Sequence, residues 1–132
     1  MVNMPYKILE HTADVGIIAE GRNFTEALEE SARGMFSFMG SARPIEKLKI
    51  EVHREREDEM VVFFLSEILA QCEGQGFTPA DVKIGRYEGG KLSATIFGEI
   101  KTLKNIIKAV TFHMLEVKKG ANSCSVQVLF DI

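Results

Sequence analysis

The chain has 132 residues, room for one hydrophobic core and not for two comfortable ones. A hydrophobic fraction of 45% and a charged fraction of 27% exclude a disordered chain, and no apolar run approaches the ~18 residues of a membrane span. The 16 Lys and Arg against 19 Asp and Glu leave a net charge of −3, short of the basic excess that phosphate binding demands. Strong direct binding of nucleic acid is therefore not expected, and any role near RNA would run through a protein partner.

The opening MVNMPYKILE has no apolar signal-peptide core, so a cytoplasmic protein without membrane attachment is expected. Tyr6 to Leu9 and Val15 to Ala19 are short strand candidates on either side of HTAD, and Gly21-Arg22-Asn23 turns the chain. Asn23 with Glu26 has the form of a capping box, Asn standing where Ser or Thr is usual. A helix follows, with Phe24, Ala27, Leu28, Ser31, Ala32, Met35, Phe36 and Met39 on one face. Glu26, Glu29, Glu30 and Arg33 fall on the other side. Gly40 is placed for the left-handed position beyond the helix, and Pro44 prevents its continuation.

From Leu48 to Arg54 apolar and charged residues alternate, as in a half-exposed strand. The charged stretch REREDE, residues 54–59, reads as a solvated loop in which Asp58 starts a helix. That helix, roughly Glu59 to Cys72, is apolar around most of its circumference and so must be covered on more than one side. The GQG of residues 74–76 ends it. Val82 to Tyr87 and Leu92 to Phe97 form a hairpin through Glu88-Gly89-Gly90. Val110 to Val117 reads as a strand, with a helix from Asn105 as the competing reading, and Ser125 to Phe130 closes the chain with another. The order β-β-α-β-α-β-β-β-β predicts a single α+β domain over residues 1–132, with a mainly antiparallel sheet and two helices. Cys72 and Cys124 are isolated and read as small buried hydrophobes.

Some polar residues ask for explanation. Taken one at a time, Asp14 is an Asx-turn residue, His113 an ordinary strand histidine and Glu99 a strand-end charge. The end is different. VQVLFDI carries Asp131 and the main-chain oxygens of Ile132 together on an apolar strand. Were Asp14 close to them, the negative groups would repel one another unless a cation were bound. Hard ions such as Ca²⁺, Mg²⁺ or Mn²⁺ take such oxygens, and zinc would need His11 as well.

In order along the chain stand HTADVGI (residues 11–17), FTEALEESARGMFSFM (24–39), DEMVVFFLSEIL (58–69), GE (98–99), IKAVTFHMLEV (107–117) and the final FDI. With these motifs the chain resembles the archease family over almost its full length, from about Tyr6 to Ile132. The resemblance implies a small, non-enzymatic accessory protein for an RtcB-type RNA ligase in tRNA splicing and RNA repair. In that role it promotes guanylylation of the ligase by GTP and lets the ligase turn over many times; a chaperone-like role has also been attached to the family. It implies an oxygen-ligated divalent cation, calcium among the candidates, held by Asp14, Asp131 and the main chain of Ile132. His11 would orient a carboxylate or face the ligase, and Glu99, Lys108 and His113 are candidate interaction residues. The chain departs from the family in GEIKTLKNIIKAV, which is short and has no histidine between Glu99 and His113.

Two other readings come from different classes. A metal-dependent phosphoester hydrolase would use the cation to activate water, with His11 as base, but no Gly-rich phosphate loop or nucleophile–base pair accompanies it. A general chaperone would offer the apolar stripe Met60 to Leu69, which is equally the stripe of a core helix.

Overall fold

A computed structural model describes residues 5–10 and 14–132, the side chain of Glu10 excepted. In chain order the elements are β1 (Tyr6–Glu10), β2 (Asp14–Gly21), α1 (Phe24–Phe36), β3 (Glu46–His53), α2 (Glu57–Gln75), β4 (Phe77–Glu88), β5 (Lys91–Ile100), β6 (Ala109–Lys119) and β7 (Cys124–Asp131). The α+β class, the element order and the antiparallel pairing agree with the sequence reading. Where one sheet was expected there are two, of order β1-β2-β7-β6 and β3-β5-β4. Alternation marks which face of a strand is buried; it does not name the strand's neighbour.

Both helices touch both sheets, α1 through β1, β2, β7 and β4, and α2 through β6, β7, β3 and β4. One core fills the space between, with Ile17, Leu28, Met35, Phe64, Ile68, Ile96 and Phe130 essentially sealed from water. The apolar circumference of α2 follows from this position. No helix among the described residues is long and apolar enough to cross a membrane.

Asn23 caps α1 as its sequence suggests, its Oδ1 accepting from the Glu26 N–H at 2.9 Å. The reciprocal half of the capping box goes elsewhere: the Glu26 carboxylate accepts from the N–H and Nε of Arg22. The helix stops at Phe36 and not at Met39. Residues 37–39 tighten into i→i+3 hydrogen bonds before Gly40 takes a φ of +105°. Asp58 does not start α2; the helix begins at Glu57 and Arg56 occupies the N-cap, with Asp58 pairing to Arg56 inside the first turn. An acidic first turn suits the positive end of the helix, so the boundary moves by a residue at little cost. The C-terminus is Gly76, left-handed at φ +63°, its N–H donating to the Cys72 carbonyl.

Strand β4 begins earlier than its alternation suggests, because Phe77 to Pro79 also pair with β5 ahead of a register shift at Pro79/Asp81. Proline is tolerated there because β4 is an edge strand and the ladder is already interrupted. The outer edge of β4 is closed by α1. Glu29 Oε2 accepts from the Ile84 N–H at 2.8 Å, and Arg33 Nη2 donates to the Val82 carbonyl at 3.2 Å. Glu29, which periodicity assigned to solvent, is buried for this reason. The segment ahead of β6 is not a helix: Asn105 accepts from the Ile107 N–H and donates to the Ile107 carbonyl, a local turn that replaces helical bonds. Cys72 and Cys124 are free and buried, as expected, and desolvation pushes the Cys72 thiol up to about 12.

Candidate functional site

Strands β2 and β7 run antiparallel through the middle of the larger sheet, with Val15 opposite Phe130. Both of these are buried in the core. Side chains alternate along a strand, so the next pair, Asp14 opposite Asp131, belongs to the other face. Residues directly opposite in an antiparallel pair have Cβ atoms roughly 4.5–5.5 Å apart. Two carboxylates are thus set against each other by the register alone, although 117 positions separate them in the chain.

On the far side of Asp131 the third strand offers Ala109, whose methyl group leaves the carboxylate unobstructed. The Lys108 N–H donates to the Asp131 carbonyl at 2.7 Å and fixes the last turn of main chain beside Ile132. Directly opposed like charges destabilise a sheet, on the order of 1 kcal/mol where water screens them. No cationic side chain forms an ion pair with either aspartate among the described residues. Among the described residues the donors at hand are oxygens, two carboxylates and neighbouring main-chain oxygens, which suit a hard divalent cation; zinc would need His11 as well. Among the described residues no three His, Cys, Asp or Glu side chains gather at metal-binding distance, so any further oxygens would be main-chain, water or a partner's. His11 lies outside the described residues.

Next in register, Gly16 faces Leu129. A Cβ at Gly16 would lie 2.4 Å from Leu129 Cδ2 and 3.0 Å from the Val128 carbonyl oxygen, so the glycine of HTADVGI exists to let this leucine cross it. Leu129 is buried although it points away from the main core. The glycine of the GE pair has a related reason. At Gly98 a Cβ would meet the Thr78 carbonyl oxygen at 2.1 Å, where the irregular start of β4 crosses β5.

Glu99 is not with the aspartates. It stands in the other sheet, on β5, and is not a charge left to water. Its carboxylate accepts from the Arg43 N–H at 2.7 Å and from Arg43 Nε and Nη2 at 3.3 Å each. These contacts hold its carboxyl below the usual carboxylate range, the side-chain bond leading and the backbone bond second. Glu99 therefore pins the loop ahead of β3.

His113 and Lys108 are both exposed on or beside β6. His113 sits in an irregularity that sequence reasoning missed. Thr111 pairs with Leu129 and Glu116 with Gln127, so four residues, Phe112 to Leu115, stand opposite the single Val128. The His113 N–H donates to Thr111 Oγ1, Gln127 Nε2 donates to the Met114 carbonyl at 2.8 Å, and Met114 has a φ of +55°. The signal was present: Val110 and Val117 both face the core, and an odd separation cannot do that in a regular strand.

Known proteins resemble this chain along most of its length. Residues 6–132 match the model of the Archease protein family (MTH1598/TM1083). A "Protein archease" of Thermococcus kodakarensis is 33% identical over 121 residues, covering 83% of this chain and 85% of its own. One from Pyrococcus abyssi is 36% identical with the same coverage. Among solved structures, the solution structure of Methanobacterium thermoautotrophicum protein 1598 superposes with a TM-score of 0.80 at 27% identity, over 98% of this chain and all of that one. A crystal structure titled "an archease, possible chaperone" from Thermotoga maritima gives a TM-score of 0.72 at 25% identity, over 96% of each chain. None of these relatives bears the name of an enzyme.

Proposed function

The chain belongs to the archease family, and from that premise we propose that it is a metal-binding accessory protein of an RtcB-type RNA ligase, promoting guanylylation and repeated turnover in tRNA splicing and RNA repair. The observation that carries the reading is the opposition of Asp14 and Asp131 across β2 and β7. Two carboxylates so placed cost the sheet stability, and a bound hard cation would offset that cost. Asp14, Asp131 and the main-chain oxygen of Ile132 would hold a divalent cation, Ca²⁺, Mg²⁺ or Mn²⁺. Such an ion would supply positive charge where phosphate oxygens gather. The chain's own contribution is positioning: the buried pair Val15 and Phe130 fixes both aspartates on rigid central strands.

The test is RNA ligation by a catalytic amount of the cognate ligase with GTP and Mn²⁺. Wild-type protein is expected to turn one round of joining into many. Asp14→Ala is expected to lose that effect, since removing one partner of a charge-pairing site at an interface costs about 2–5 kcal/mol. Equal stimulation by both proteins would remove the carboxylates from the function. Lack of stimulation by the wild type, together with broad suppression of aggregation, would replace the accessory role with a chaperone role.

A further inference from the structure

The net charge of −3 averages over a surface on which the signs are separated. In the smaller sheet Ile50, Ala94 and Ile84 pair in one row and are buried, so their neighbours along each strand turn away from the core. On that outer face Lys49 and Lys83 both oppose Thr95, one from each side, and Glu51 and Arg86 both oppose Ser93. Lys47 stands one row to one side, opposite Phe97, and Lys91 one row beyond Ser93 on the other. Most acidic partners are already taken: Asp81 pairs with Arg33 and Glu88 with Arg86. Lys47, Lys49, Lys83 and Lys91 form no ion pair among the described residues, and Glu51 is the one unpaired carboxylate in these rows. The face is thus positive on a negative molecule. It is also grooved. Two depressions of about 570 and 220 Å³ share Glu51 and Ser93 and so form one trough along β5. At Gly85, where β4 bulges, an added Cβ would meet only the Ser93 carbonyl oxygen, at 3.9 Å, so the glycine keeps the trough open and packing does not require it.

We infer that this trough is a contact for the phosphate groups of a single nucleic-acid strand laid along β5, held weakly and without regard to base. The cations recur from the row of Lys47 to that of Lys91, about 20 Å at strand spacing, which suits an extended polyanion and not one compact anion. Lys49 and Lys83 are two strand spacings apart, roughly 10 Å, so one backbone passes between them. The hydroxyls of Thr95 and Ser93 lie along the same line and can donate to phosphate oxygens. The free cations are all lysines, point charges that neutralise phosphate, whereas an acidic peptide is gripped best by the arginine fork. The arginines are engaged elsewhere, Arg54 on the ring of Phe63 and the others on carboxylates. No exposed apolar side chain stands in these rows to enter a membrane, and Phe97 is half-buried with Lys47 Nζ 6.0 Å from its ring, which leaves no free platform for a base. The trough lies in the sheet that lacks Asp14 and Asp131, and it stands whether or not they hold an ion.

The experiment follows fluorescence anisotropy of a labelled oligouridylate of about 12 nucleotides, titrated with this chain over a series of salt concentrations. For the wild type, log Kd is expected to rise with log salt at a slope of about 2–3, as three or four neutralised phosphates require. Lys49→Gln/Lys83→Gln should weaken binding about tenfold and lower that slope by about 1.4. Lys101→Gln/Lys104→Gln removes the same charge from exposed lysines ahead of β6 and should bind nearly as the wild type. Glu51→Gln, which deletes the unpaired carboxylate of the trough, should tighten binding about threefold at low salt. Thermal melting of each variant reports that the fold is intact. Equal losses in the two lysine double variants would reduce the effect to net charge and overturn the trough. Absence of wild-type binding at low salt would overturn it as well. Displacement of the strand by polyglutamate at equal charge concentration would overturn the choice of phosphate in favour of an acidic protein segment.

Discussion

At the scale of single residues, the two motif glycines and Glu99 show that a sequence motif can be a packing requirement. Gly16 lets Leu129 lie across β2, and this contact sits two positions from Asp14. Gly16→Ala is expected to destabilise the fold by about 1–3 kcal/mol, as overpacking does. Pairing it with Leu129→Ala should restore part of the loss, because the clash is with that side chain; denaturant midpoints of the three variants measure it. Glu99 contributes to the pH dependence, alongside Glu26 and Asp58, which their arginine partners also hold below the ordinary range. Its folded carboxyl is held below the ordinary range by Arg43. Its contribution is then complete above the unfolded value and disappears as pH falls through the folded one. Glu99→Gln is therefore expected to melt below the wild type at pH 7, and the difference should close as the solution is acidified below pH ~4. A constant difference across that range would detach Glu99 from the acid sensitivity.

At the scale of elements, helix α1 does more than fill the core. An edge strand leaves unpaired N–H and C=O groups that invite another chain. On β4 two of these are taken by Glu29 and Arg33, so the helix closes the edge with side chains. Glu29→Ala would leave the Ile84 N–H buried without an acceptor, a loss expected at about 1–3 kcal/mol. Glu29→Gln keeps a carbonyl oxygen in place and should lose less. Urea unfolding of the two variants separates the hydrogen bond from the charge. Strand β6 is the opposite case: its edge is not closed but re-aimed by a bulge, and exposed apolar residues accompany it.

At the scale of the whole molecule, the two sheets clasp the helices between them, and the central pairing β2·β7 joins the beginning of the chain to its end. A cation bridging Asp14 and Asp131 would thus bind the folded state and not the open chain. With free ion at a hundred times its dissociation constant, the gain is about 2.7 kcal/mol, a melting temperature higher by roughly 10 °C for a chain of this size. Wild-type protein is expected to show that rise on adding Ca²⁺ or Mn²⁺ after chelation. Asp14→Asn should show none, and under chelation it should be no less stable than the wild type, because the repulsion is gone. A rise of equal size in both would place the ion elsewhere.

Periodicity, turn residues and capping patterns were enough for the elements and their order, because those depend on neighbours a few positions apart. The helix that begins behind Asn23, the all-round apolar α2 and the Gly89-Gly90 hairpin were legible for that reason. The division into two sheets, the burial of Glu29 and the Arg43 clamp on Glu99 were not, since each depends on which distant strand or loop comes to lie alongside. Asp14 and Asp131 could be suspected from the sequence as cation ligands only through resemblance. Their opposition follows from antiparallel register, which is decided when Val15 and Phe130 are buried together and the alternation of side chains carries the next pair with them.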